Sequence, residues 1–176
     1  MKASKLNQMV PVLQIVEDAT RVINRVKKNA ARVSPAIADN MKGATLGSIY
    51  EGVIIEQLNN QTPYTWRKGN DRSEIDCICI ERPSLSFELK TTSGPRIVGS
   101  KTQCGFVDTG TKYTSDKYTN YVFVKYKTDG NKINLNGVFV GKLKHSDWKC
   151  SDSRASSSAF VPKSVFNAQF KQIDNK

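Results

Sequence analysis

Residues 73–92 read SEIDCICIERPSLSFELKTT, and this stretch contains the two segments that decide the fold. The first segment, residues 75–80, is a continuous apolar run apart from Asp76, which is typical of a central strand covered on both faces. The second, residues 85–91, alternates between apolar and polar side chains, as a strand with one buried face does. Residues 81–84 have the composition of a turn, so the two strands are predicted to form a hairpin.

The hairpin also predicts which polar side chains meet. Folding the chain about Arg82 places Asp76 opposite Glu88. Lys90 follows Glu88 by two residues, which is roughly 6.6 Å along the same face at the usual rise of a strand. The sequence therefore predicts one patch in which the side chains of Asp76, Glu88 and Lys90 converge.

A helix that carries a third carboxylate is predicted upstream, over about residues 46–59. Counting along the helix places Glu51 on the apolar stripe that includes Ile55 and Leu58. Glu56, in contrast, lies on the polar side of this helix. A carboxylate that faces a core needs a cation or a metal as partner, because burying it alone is costly. We therefore expect Glu51 to lie near the patch, which its helix could cover.

This combination of groups has a recognisable chemistry. Two carboxylates on adjacent strands, with a third from a helix, make a hard, oxygen-rich site that suits Mg²⁺. Lys90 would stay outside the metal cage, where it can orient or deprotonate a water and stabilise the charge that develops on a phosphate. Phosphodiester hydrolysis needs these functions together. A Glu-x-Lys sequence by itself is most often a structural ion pair, but the other two carboxylates favour the catalytic interpretation.

The charge of the chain is high and unevenly distributed. Its 176 residues include 27 Lys and Arg against 16 Asp and Glu, a formal net charge of +11. Residues 43–95 carry −2 and the remainder +13. A basic body favours a polyanion such as DNA or RNA as partner, because neutralised phosphates release their counterions. The acidic segment coincides with the predicted patch, so the charge indicates a basic surface around an acidic site.

Composition and length exclude several classes of protein. A chain of this size, 38% hydrophobic, forms one compact domain rather than a disordered polycation. No apolar stretch approaches the roughly 18 residues that a membrane span requires. The four cysteines contain no Cys-x-x-Cys pair and the chain has one His, so we predict free thiols rather than a zinc site. We therefore expect a soluble cytoplasmic protein with no membrane partner.

The segments before the patch read as helices. Apolar residues recur at alternating intervals of four and three over residues 12–30, the signature of an amphipathic helix. This helix either packs on the core or pairs with a copy of itself, and the sequence leaves both open. Ser34 followed by Pro35 predicts the start of a short second helix.

The segments after the patch read as a loop, a hairpin and a helix. Residues 121–126 and 133–140 are predicted strands around an Asp129-Gly130 turn. A short terminal helix is predicted from the spacing of three apolar residues, namely Phe166, Phe170 and Ile173.

Within the long loop between the two hairpins, residues 94–117 are the predicted DNA-contacting segment. Residues 91–117 are rich in Gly, Ser, Thr and Lys, and compact domains seldom keep such loops without a functional reason. Four of its side chains are candidates for contact with phosphates or base edges: Arg96, Lys101, Gln103 and Lys112. Arg154, in a Ser-rich loop, fits a phosphate contact and an exposed surface position equally well.

Four short motifs together resemble a known superfamily. They are Glu51 in GSIYEGVIIEQL, Asp76 in SEIDCICI, Glu88 with Lys90 in SFELKTTS, and FVGKLKHSDWK at residues 139–149. With these motifs the chain resembles the PD-(D/E)xK nucleases, and among them the small type II restriction endonucleases of the ScaI-like type. The resemblance spans about residues 43–150. Ile75 stands where the superfamily pattern has Pro.

The resemblance implies a fold and an activity. The implied fold is α/β (α+β), a restriction-endonuclease-like core whose central mixed β-sheet is flanked by helices. It also implies Mg²⁺ held by Asp76 and Glu88, a catalytic Lys90 and a supporting Glu51. The implied enzyme is a homodimer that cuts both strands of a palindrome in double-stranded DNA and leaves 5′-phosphate ends.

The organisation that we expect is a single nuclease domain over residues 1–176. Within it, residues 1–42 would form N-terminal helices available for dimerisation, and residues 43–150 the catalytic core. Residues 151–176 would form a basic C-terminal loop and helix.

Two other functions fit the same residues. A junction-resolving or DNA-repair nuclease of the same fold would share the charge and the patch, and would prefer a four-way junction or a mismatch as substrate. A non-catalytic basic DNA- or RNA-binding module would keep Glu-x-Lys only as an ion pair. Its binding would depend on salt and would be unaffected by Mg²⁺ or by Lys90→Ala.

Overall fold

A computed structural model describes residues 5–70, 74–100, 118–150 and 158–173 of the chain. The helices are α1 (Lys5–Met9), α2 (Val12–Val33), α3 (Pro35–Asn40), α4 (Gly43–Gln61) and α5 (Lys163–Gln169). The strands are β1 (Trp66–Lys68), β2 (Cys77–Cys79), β3 (Phe87–Thr92), β4 (Val98–Ser100), β5 (Thr119–Asp129), β6 (Lys132–Leu143), β7 (Lys149–Cys150), β8 (Ser158–Phe160) and β9 (Phe170–Ile173). Short 3₁₀ turns at Pro83–Leu85 and His145–Asp147 precede β3 and β7.

The strands form two sheets. The central sheet has six strands in the order β1-β2-β3-β5-β6-β9. Its β3–β5 pair is parallel and its other pairs are antiparallel, so the sheet is mixed. A smaller antiparallel sheet has the order β4-β8-β7. The predicted fold class, a mixed sheet combined with helices, is confirmed, and so are both predicted hairpins.

The two faces of the central sheet are covered by different elements. Residues from α2 and α4 pack with Phe87 and Leu89 of β3 in the larger hydrophobic core. Residues from the smaller sheet and from β9 pack with Tyr121 and Phe123 of β5 in a second core. Because side chains alternate along a strand, Phe87 and Leu89 face the helices, whereas Glu88 lies on the other face. The sheet therefore presents Glu88 away from α4.

The amphipathic helix packs on the core. The buried residues of α2 include Val12, Val16, Ala19 and Ile23, and they lie in the larger hydrophobic core. The apolar stripe of α2 is therefore buried within one chain, without pairing with a second copy. Further along the helix Val26 is exposed. The short second helix predicted after Ser34 is present as α3.

Strand β2 is shorter and less buried than the sequence predicts. The predicted strand of residues 75–80 contains only Cys77–Cys79, and Ile80 is exposed. Cys77 and Cys79 are fully buried, whereas Ile78 between them is half-buried. The prediction that both faces of this strand are covered is wrong, because only the face of the two cysteines lies in the larger core.

The predicted terminal helix is only partly correct. Helix α5 ends at Gln169, and Phe170 begins β9, which pairs with β6. Phe170 packs in the second core beside Phe123, with ring centres 4.6 Å apart. The burial and pairing available on the edge of the sheet thus override the helical spacing of the apolar residues.

The cysteine prediction holds in part. Cys77 and Cys79 are free and buried, as expected. Cys150 is disulfide-bonded, so the prediction that all four cysteines are free thiols is wrong at this position. Within the described ranges, no helix is long and apolar enough to cross a membrane.

A glycine in β6 allows β9 to approach closely. A Cβ atom at Gly141 would lie 2.5 Å from the Gln169 carbonyl oxygen and 2.6 Å from the Phe170 ring. We expect Gly141→Ala to lower the free energy of unfolding by about 1–3 kcal/mol, because backbone and ring have to move apart. Gly52→Ala is the matched control, since no atom lies within 4 Å of its Cβ position on α4. The control should gain about 0.5–1 kcal/mol. Urea unfolding measures both changes, and equal effects of the two variants would refute the close approach.

Candidate active site

The site lies where strands β2 and β3 separate. Their backbone pairing is Cys77↔Phe87, and extending this register by one residue sets Asp76 opposite Glu88, as the hairpin predicts. The Leu89 N–H donates a hydrogen bond of 2.9 Å to Asp76 Oδ2, so a side chain takes the place of a backbone acceptor. The Asp76 N–H donates to Glu88 Oε2 at 3.4 Å. The backbone of the diverging strands therefore holds both carboxyl groups in place.

Lys90 completes the cluster on the same face of β3 as Glu88. Its Nζ atom lies 3.0 Å from Asp76 Oδ2 and 3.4 Å from Glu88 Oε2. The exposed fractions of these side chains are 20% for Lys90, 22% for Asp76 and 14% for Glu88. The structure thus brings together the three side chains that the sequence places on one patch, and it largely removes them from water. We call Asp76, Glu88 and Lys90 the carboxylate–lysine cluster.

Burial and proximity shift the protonation of this cluster. Burial, with the proton that Glu88 shares with Asp76, raises the pKa of Glu88 to about 8. Burial also acts to raise the pKa of Asp76, but the hydrogen bond with Glu88 and the charge of Lys90 outweigh it and lower that pKa. Burial acts to lower the pKa of Lys90, and the two carboxylates outweigh it and raise that pKa. At neutral pH the cluster therefore holds an ionised Asp76, a protonated Glu88 and a charged Lys90.

The donor set of the cluster fits a divalent cation. The two adjacent carboxyl groups share a proton because too little positive charge lies near them. A bound cation would supply that charge and favour the ionised form of Glu88. In the described part of the chain, no three His, Cys, Asp or Glu side chains are arranged to hold a metal ion. Mg²⁺ usually binds to one or two carboxylates and takes its other ligands from water and substrate phosphates. Asp76 and Glu88 satisfy that smaller requirement.

Glu51 lies beside the cluster rather than inside it. Its side chain is 19% exposed, and Glu56 is exposed, so Glu51 lies on the more buried side of α4 as predicted. Helix α4, however, packs on the face of β3 opposite Glu88, so it does not cover the cluster. The ion pair that the structure gives Glu51 is with Lys68, at 2.8 Å between Nζ and Oε2.

Lys68 is a residue of the site that the sequence did not single out. It is the last residue of β1 and pairs with Cys77 of β2, while the next N–H, that of Gly69, donates to the Asp76 carbonyl at 3.2 Å. The hydrogen bond with Glu51 raises the pKa of Lys68, and the charge of Asp76 adds to that effect. The only signal in the sequence is a basic pair, Arg67-Lys68, after Trp66, and nothing there indicates a pairing with β2.

The fourth motif of the resemblance, FVGKLKHSDWK, also lies close to the cluster. Tyr121 of β5 is the parallel-register partner of Glu88, and its ring centre is 5.8 Å from that of Trp148. Burial raises the pKa of Tyr121, and the charge of Glu88 contributes. Trp148 follows a 3₁₀ turn in which Asp147 Oδ2 accepts the Lys144 N–H at 2.8 Å. Trp148, at the end of the FVGKLKHSDWK segment, therefore packs against Tyr121, the strand neighbour of Glu88.

The predicted DNA-contacting residues are described only in part. Arg96 is exposed, and its guanidinium carbon lies 5.7 Å from the centre of the Phe160 ring. The other four candidates, Lys101, Gln103, Lys112 and Arg154, lie outside the described residues. Contact of these five side chains with DNA stays a prediction.

Comparison with known proteins gives a family match. The sequence model of the ScaI restriction endonuclease family matches residues 11–174, which is nearly the whole chain. No curated protein and no solved structure matches it. The matched range includes the carboxylate–lysine cluster, Glu51 and Lys68.

Proposed function

Because the chain belongs to the ScaI restriction endonuclease family, we propose that it cuts double-stranded DNA at a specific sequence with Mg²⁺ held by Asp76 and Glu88. The family makes the chain a type II site-specific deoxyribonuclease, and it disfavours both the junction-resolving nuclease and the non-catalytic binding module. The observation that supports the finer assignment is the convergence of Asp76, Glu88 and Lys90 at the point where β2 and β3 separate.

Each residue of the cluster then has a role that follows from its contacts. The Leu89 N–H orients Asp76, so one carboxylate is fixed before substrate arrives. Glu88 would hold the cation as an ionised carboxylate, with its shared proton released to solvent. Lys90 keeps its proton, since its pKa is raised, and this favours stabilising phosphate charge over removing a proton from water. When bound, Mg²⁺ would polarise the phosphate and lower the pKa of a coordinated water. Glu51 supports the site from α4.

The proposed products and assembly follow from this chemistry. Attack of water on phosphorus with departure of the 3′ oxygen leaves a 5′-phosphate and a 3′-hydroxyl. One cluster cuts one strand, so we propose that two copies act together as a homodimer on a palindrome. The basic surface outside residues 43–95 supports DNA as the partner. We also propose that the enzyme works in the cytoplasm, where it meets DNA.

The activity has a direct test. Incubating the protein with plasmids of varied sequence and Mg²⁺ should give discrete fragments, and EDTA or Asp76→Ala should prevent their formation. Ends that ligate without prior phosphorylation would support 5′-phosphates. Failure of intact wild-type protein to cut any of the DNA would contradict the proposal. Cutting that requires a four-way junction would favour a junction-resolving enzyme instead.

A further inference from the structure

Lys68 and Glu51 form an ion pair that the proposed chemistry does not explain. Glu51 is 19% exposed and Lys68 is 52% exposed, with Nζ and Oε2 2.8 Å apart. An exposed ion pair contributes little to the free energy of unfolding, so a gain in stability does not explain why Lys68 and Glu51 are paired. Its position is more informative, because Lys68 ends β1 opposite Cys77, the residue that follows Asp76.

The charges near the site make the pair a candidate for control of cation binding. Three carboxylates lie around Cys77: Asp76 precedes it, Glu88 accepts the Asp76 N–H, and Glu51 binds Lys68, the β1 partner of Cys77. They therefore share one neighbourhood. Two ammonium groups balance them: Lys90 inside the cluster and Lys68 on Glu51. A divalent cation that enters this neighbourhood is attracted by the carboxylates and repelled by both lysines.

We propose that Lys68 is a counterion built into the site, which neutralises Glu51 in the cation-free protein and opposes the binding of a divalent cation until Glu51 is released. The inference rests on the proposed cation site at Asp76 and Glu88 and adds a positioning residue to it. In the absence of cation, the pair lowers the negative charge that DNA phosphates would otherwise meet. When a cation binds, Glu51 becomes available to support it.

The proposal predicts a gain that a purely structural ion pair would not give. Lys68→Met should raise the affinity of the DNA-free protein for Mn²⁺ roughly fivefold, because it removes one repelling unit charge. Mn²⁺ is a suitable probe since it prefers oxygen ligands, and electron paramagnetic resonance counts the free ion directly. Lys68→Arg keeps the charge and should leave the affinity close to that of the wild type.

The neighbouring residue offers a matched control. Arg67 lies on the same strand and loses the same charge in Arg67→Met, but it pairs with Glu74, through two contacts of 2.9 Å. The charge that raises the pKa of Arg67 is that of Glu74, whereas the charge of Asp76 contributes to the raised pKa of Lys68. Arg67→Met should therefore leave the Mn²⁺ affinity within about twofold of the wild type, as expected for a charge that solvent screens. Thermal melts confirm that every variant is folded.

The effect should also depend on Glu51. In a Glu51→Gln background, Lys68→Met should no longer raise the Mn²⁺ affinity, because Glu51 then no longer holds the Lys68 ammonium beside the site and solvent screens its charge. The proposal is overturned if the gain persists in this background. It is also overturned if Lys68→Met alone gives no gain in Mn²⁺ affinity, or only the gain that Arg67→Met gives. The titration contains no DNA, so wild-type protein that fails to cut DNA would count against the proposed function alone.

Discussion

Lys90→Met should lower the rate of DNA cleavage by about 100- to 1,000-fold, which is the typical cost of removing a group that stabilises transition-state charge. The ammonium of Lys90 lies 3.0 Å from Asp76 and 3.4 Å from Glu88, beside the proposed cation site. It is the positive charge that would meet the phosphate oxygens as they become more negative. Methionine keeps the length and the apolar stem of the side chain but removes that charge.

The measurement has to separate lost chemistry from lost binding or folding. Single-turnover cleavage at saturating Mg²⁺ gives the rate, and binding of uncleaved DNA is measured with Ca²⁺ in place of Mg²⁺. Lys127→Met is the matched control, since this exposed residue of β5 loses the same charge. It should cut within a few-fold of the wild-type rate. If Lys90→Met is folded, binds DNA and cuts at the same rate as this control, Lys90 has no catalytic role.

Glu88→Gln is the second prediction, and it should abolish cleavage while stabilising the cation-free protein at pH 8. The carboxyl of Glu88 is 14% exposed and shares its surroundings with Asp76, so ionising it without a cation is costly. Glutamine has nearly the same shape and carries no charge at any pH. The variant therefore removes a proposed Mg²⁺ ligand. It also removes the free-energy cost of ionising the Glu88 carboxyl in the cation-free protein.

The pH dependence follows from the direction of the shift. The pKa of Glu88 is raised from 4.5 to about 8 in the folded protein. Between these values the folded state holds a proton that the unfolded state has lost, so stability falls as pH rises through this window. The lowered pKa of Asp76 acts at more acidic pH, and the raised pKa of Lys90 acts at more alkaline pH. Neither reverses the trend between pH 5 and pH 8.

Urea unfolding at several pH values checks this prediction. Wild-type protein should lose on the order of a few kcal/mol between pH 5 and pH 8 through Glu88, and Glu88→Gln should lose markedly less. Mg²⁺ at pH 8 should restore the stability of the wild type and not that of the variant. Glu56→Gln, at an exposed position of α4, serves as the control and should follow the wild type. Parallel pH profiles for wild type and Glu88→Gln would contradict the prediction.

The carboxylate–lysine cluster was predictable because it depends on local structure. Asp76 and Glu88 are twelve positions apart in one hairpin, and the turn between them sets their register. Lys90 then follows from the period of a strand, which is two residues. The helix that carries Glu51 was also accessible, since its existence and its more buried side follow from the period of a helix, although it spans Gly43–Gln61 rather than about residues 46–59.

The surroundings of the cluster were less accessible. No pattern in the sequence indicates that β1 pairs with β2, so the ion pair of Lys68 with Glu51 could not be inferred from either residue. It also suggested that α4 could cover the cluster, whereas α4 packs on the opposite face of β3. Both facts depend on contacts between segments that are separated in the chain.

Sequence alone thus determined helices α2, α3 and α4, the two hairpins and the meeting of Asp76, Glu88 and Lys90, because these follow from local periodicity and turn chemistry. Only the tertiary structure decided which face of the sheet α4 covers, that Phe170 joins a strand rather than a helix, and that Lys68 neutralises Glu51. The physical reason is that burial and ion pairing depend on which distant segments pack together. Local patterns restrict that packing but do not choose it.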